Sequence, residues 1–154
     1  MINPTSPITG GAQTGFTTPT YTITADTPPS VNGKQWAVTA IGGTQTGVDL
    51  HSVSKPFTLS VFRPAVLKSL PAASPTTGVI KSVPSNVYKI IVRKGGLPAL
   101  NQAARIAQIK CEISIPTGID TYEPEDMRAM ISLLVGFLNQ QSAGVGDTAV
   151  QGLL

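Results

Sequence analysis

Three segments carry polar or basic side chains at every second residue. In Val87–Lys94 these are Lys89 and Arg93 with Ile91 between them, in Ile106–Ile115 they are Gln108, Lys110, Glu112 and Ser114, and in Phe57–Phe62 they are Thr58 and Ser60, with Phe62 next in step. A β-strand sends successive side chains to opposite faces, so each set shares one side of its strand. Cationic groups on neighbouring strands form an array that neutralises phosphates, and hydroxyls or amides beside them could reach the edges of unpaired bases. The chemistry is the binding of a polyanion. Glu112 fits it by holding Lys110 or Arg93 in place, or by accepting a hydrogen bond from a base. The plainer alternative is that the cations are solvated charges on an open sheet face, with Thr58 and Ser60 ordinary strand residues.

Bond-making chemistry has little support. His51 is the only histidine and sits in a loop-like D-L-H-S context, where an exposed side chain is expected. Cys111 is the only cysteine, so no intramolecular disulfide forms, and its apolar register predicts a small buried hydrophobe rather than an activated thiolate. Asp49 and His51 do not complete a metal site. Gly42-Gly43 and Gly95-Gly96 lack the lysine and helix of a phosphate-binding loop and are expected to be turns. No cofactor and no small-molecule substrate are implied.

Charge is unevenly distributed. From Thr27 to Cys111 the chain carries ten of its eleven basic residues and a single acid, Asp49, a net of +9. From Glu112 onward six acids face Arg128 alone, a net of −5. A basic sheet followed by an acidic helical end fits a nucleic-acid footprint on the sheet. Only 12% of the 154 residues are charged, about half of the ~25% usual in soluble domains, which suggests that much of the surface meets protein.

These side chains need a sheet to hold them. The length suits one domain, and 15 Gly with 13 Pro predict short strands and much loop. The chain divides into an arm and hairpin over 1–33, a sheet over 34–116 and a helical region over 122–154. Met1–Pro19 reads as an arm or a loose edge element. Strands are expected at Tyr21–Thr24, at Lys34–Ile41 before a break at Gly42-Gly43, at Phe57–Phe62, at Val87–Lys94 and at Ile106–Ile115. The connection Ala65–Asn86 reads as an extended loop, with room for a short strand near Val79–Val83, and Gly95–Gln102 as a hairpin turn. Ala107, Ile109, Cys111, Ile113 and Ile115 form the apolar side of the last strand. A helix starts at Tyr122-Glu123-Pro124, with proline in its first turn and acids opposing its dipole. Met127, Met130, Ile131, Leu134 and Leu138, widened by Leu133 and Phe137, form its apolar stripe, which must pack on the sheet or on a partner. Asn139–Gly146 ends this helix, and the tail after it has room for a second helical turn. The N-terminus lacks a charged segment followed by an apolar one, and no apolar run approaches the ~18 residues of a membrane span, so an unprocessed, soluble chain suited to a reducing cytoplasm is expected.

The order F-T-L-S-V-F-R, N-V-Y-K-I-I-V-R-K and I-K-C-E-I-S-I-P, followed by an acid-started helix, resembles the coat proteins of single-stranded RNA bacteriophages, the leviviruses, over about the last two-thirds of the chain. The resemblance implies an α+β fold: an N-terminal β-hairpin, a five-stranded antiparallel sheet and one or two C-terminal helices on one face, interlocked with those of a second subunit. The homodimer then presents a continuous ten-stranded sheet, and dimers assemble in the bacterial host cytoplasm into an icosahedral virion shell. The RNA-facing residues implied are Thr58, Ser60, Lys89, Ile91, Arg93, Gln108, Lys110 and Glu112. Met127, Met130, Ile131, Leu134, Phe137 and Leu138 would pack the core or the dimer. Ile91 stands where a lysine is typical of the family, and Phe62 where a basic residue is. The family also implies repression of replicase translation through an operator hairpin, and a Gly95–Gln102 loop that adapts to unlike symmetry axes. A nonviral β-rich or adhesin-like module without nucleic acid is the alternative.

Overall fold

The computed structural model describes all residues, 1–154. Six strands follow one another in space as in sequence: β1 (Ile8–Thr9), β2 (Thr17–Asp26), β3 (Gly33–Thr44), β4 (Phe57–Phe62), β5 (Ser85–Gly96) and β6 (Arg105–Pro116). All neighbours are antiparallel. The helices α1 (Ile119–Tyr122), α2 (Pro124–Gln140) and α3 (Ser142–Gln151) complete the chain. The expected N-terminal hairpin is continuous with the sheet, so there are six strands in place of five.

Several boundaries differ from the sequence expectations. Gly42-Gly43 does not end β3, because the strand bulges there against Thr17–Thr20. Gly43 takes a φ of 71°, and a Cβ on it would overlap the carbonyl oxygens of Thr17 and Thr18, so only glycine lets the strands pass. Gly95 and Gly96 lie in β5, paired with Ile106 and Arg105, and Asn101, at φ 61°, supplies the left-handed residue of the turn. No strand forms at Val79–Val83. The Ala65–Asn86 connection is instead pinned by Asn86, whose buried amide accepts from the Lys68 N–H at 2.9 Å and donates to the Lys68 carbonyl at 3.0 Å. The expected second helical turn is the ten-residue α3.

Cross-strand register sorts the side chains into two faces. One is apolar: Ile23, Trp36 and Val38 form its buried centre, with Tyr21, Phe57, Leu59 and Val61 around them. The Tyr21 and Phe57 rings meet edge to face at 5.8 Å. His51 is half-buried rather than exposed, and its Nδ1 accepts the Phe57 N–H at 3.0 Å, tying the β3–β4 loop to this face.

Cover over the apolar face thins along β6. Ile109 of β6 is 70% exposed, and Cys111, on the expected face, is half-buried rather than buried. None of the helical residues is buried. Met127 and Ile131 are half-covered, whereas Met130, Leu133, Leu134, Phe137 and Leu138 are exposed. Ile131 faces Ile113, Ile115, Tyr88 and Ile90 across an open apolar cleft of about 700 Å³. The far end of the helical region is tied to the β1–β2 loop, where Gln13 Nε2 donates to the Ser142 carbonyl at 2.8 Å and Thr14 Oγ1 donates to Asp147 at 2.8 Å.

Candidate nucleic-acid interface

The second face is polar, and the ladder aligns it row by row. One row runs Asp26, Gln35, Ser60, Ile91 and Lys110; the next runs Thr24, Ala37, Thr58, Arg93 and Gln108; a third holds Gly33, Phe62, Lys89 and Glu112. All eight residues expected from the alternation therefore share one side of the sheet.

They are not equally presented. Ser60 is 0% exposed and Thr58 is buried. The Ser60 hydroxyl donates to Gln35 Oε1 at 2.8 Å, and Gln35 Nε2 donates to the Asp26 carboxylate at 2.6 Å. This amide and the N–H of Thr27 hold the Asp26 carboxyl below the usual carboxylate range. The β2–β4 half of the face is thus knit together by its own hydrogen bonds. Asp26 and Gln35 were missed in the sequence because strand alternation identifies a face and not its cross-strand partners.

The β5–β6 half carries the charge. Arg93 and Lys110 have no acidic partner. Glu112 pairs with Lys89 at 3.2 Å and not with Lys110 or Arg93, because the register sets it directly opposite Lys89. Both side chains of that pair are more than half exposed, so the link is weak and screened. Other cations of the basic segment lie elsewhere. Lys94 sits on the apolar side, 5.0 Å from the Phe57 ring centroid, and donates to the Asp49 carbonyl at 2.9 Å. Lys55 pairs with Asp49 at 2.7 Å.

No protein-family model and no curated protein matches the chain. Among solved structures, the virus-like particle of bacteriophage ESE020 matches with a TM-score of 0.97 and 51% identity over 100% of both chains. The virus-like particle of Beihai levi-like virus 32 matches at 22% identity over 87% of this chain and 88% of that one, with a TM-score of 0.50, a likeness of fold. The ESE020 chain, at 51% identity, is that of a virus-like particle, which defines a structural protein and not an enzyme. The chain belongs to the levivirus coat-protein family. The nonviral adhesin-like alternative falls with that match.

Proposed function

We propose that the chain is the major coat protein of a single-stranded RNA bacteriophage, that it dimerises, and that its dimers assemble in the host cytoplasm into an icosahedral virion shell with the polar sheet face toward genomic RNA. The β6 edge carries this reading. Its twelve residues border no seventh strand, and Arg105–Lys110 are all exposed, while the opposite edge, β1, has two residues. A long bare edge is a template for pairing, and natural proteins leave one open where a partner takes it. A second copy meeting it edge to edge makes a twelve-stranded sheet, where the family resemblance implied ten. The same copy brings apolar helices to the Ile109–Cys111 surface, and Met130, Leu134, Phe137 and Leu138 gain the cover that one chain denies them.

Arg93, Lys110 and part of Lys89 supply positive charge to the face turned toward RNA. Distributed contact with the genome fits better than an operator-specific hairpin, because the Ser60 hydroxyl is enclosed and already bonded to Gln35. Light scattering coupled to gel filtration, with electron microscopy, tests the reading. Closed particles of uniform size with absorbance near 260 nm are expected, dissociating to dimers. A stable folded monomer overturns it.

A further inference from the structure

We infer that Phe62 is a stacking platform for an unpaired RNA base, the aromatic element of a subsite at the corner of the polar face; this rests on the reading of that face as the RNA side. Phe62 is the only aromatic residue in the polar rows. Its position opposite Gly33 lets the ring pack directly against the β3 backbone, since a Cβ on Gly33 would stand 2.5 Å from Phe62 Cδ1 and Cε1. The Phe62 side chain is half-exposed.

The surroundings suit one nucleotide. Phe62 and Ile91 form the apolar floor of a shallow cleft of about 390 Å³, with Arg63, Lys89 and Arg93 among its lining. Asn32 fixes one wall: its side-chain amide donates to the Arg63 carbonyl, and its own carbonyl accepts the Arg63 N–H at 3.1 Å. An aromatic plane rimmed by cations holds single-stranded nucleic acid, because every base has a π face and its phosphates reach the charges. A duplex keeps its bases stacked on one another and cannot use the plane. The side chain at 62 therefore sets a preference for unpaired over paired RNA, while Arg93 and Lys89 set the salt dependence.

Fluorescence anisotropy of a labelled oligoadenylate against the same strand in a duplex tests this on the full-length protein. Phe62→Leu is expected to weaken single-strand binding by about 5- to 100-fold with an unchanged salt slope, Phe62→Tyr to retain it, and Arg93→Gln to lower the slope. Loss of binding in Arg93→Gln with Phe62→Leu unaltered overturns the subsite and leaves the RNA face standing. Neither variant changing binding overturns both. Ultraviolet crosslinking of oligouridylate to the unaltered protein needs no variant to fold: a crosslink on the peptide holding Phe62 supports the subsite, and crosslinks confined to other peptides overturn it.

Discussion

Glu112 lies 3.2 Å from Lys89 across the β5–β6 pair, so one of the three cations on the polar strands is partly neutralised within the protein itself. Counterion release scales with the charges free to meet phosphates. Glu112→Gln is therefore expected to tighten RNA binding and to steepen its salt dependence by about 0.7 in the log–log slope, the value of one added single-strand contact. Titrations at several salt concentrations check this, and an unchanged slope would show that Lys89 meets no phosphate.

The amide of Asn86 is buried and bonded at both ends to the backbone of Lys68. Asn86→Ala leaves an N–H and a carbonyl without those partners, at a cost of about 1–3 kcal/mol. Thermal melting should fall accordingly, and limited proteolysis should cut the 65–84 connection faster than in the unaltered protein. Unchanged cleavage would mean that the loop is held by other contacts.

Ile109 and Leu133 are 70% and 75% exposed in one chain. Charge placed on a surface that the proposed dimer buries carries a large desolvation cost. Ile109→Lys and Leu133→Lys should each give monomers or disordered aggregates in gel filtration, with the sheet's circular dichroism kept. Normal particles from both variants would remove the apolar interface.

Acid should weaken the fold through two carboxylates. The Lys55 ammonium, by hydrogen bond and by charge, holds the Asp49 carboxyl below its ordinary range, and the Gln35 amide does the same for Asp26. A depressed carboxyl stabilises the fold above the ordinary aspartate value of about 3.9, and that contribution disappears as pH falls through the lower folded value. Melting temperature should drop from about pH 4 downward, and Asp49→Asn with Asp26→Asn should flatten that limb. A double variant with the same acid limb would assign the loss to other groups.

Strands with strict alternation were legible in the sequence: Phe57–Phe62 is read to the residue, and the two faces of β5 and β6 fall as the pattern implies. The extent of β2 was not, because T-T-P-T at its start has the composition of a loop and is held by pairing with β3. Helix α3 escaped because S-A-G-V-G carries two poor helix formers, and part of its support comes from Gln13 and Thr14, more than a hundred residues away. The burial of Ser60 was invisible for a similar reason: alternation chooses a side, whereas the cover comes from neighbouring strands.

The bonds from Gln13 and Thr14 to Ser142 and Asp147 join positions 129 and 133 residues apart, while each strand of the sheet pairs with its immediate successor. The meander can zip up as it leaves the ribosome; the clasp between its first loop and its final helix must wait for the last codons. A prematurely terminated product would display a well-formed sheet and no anchored helix.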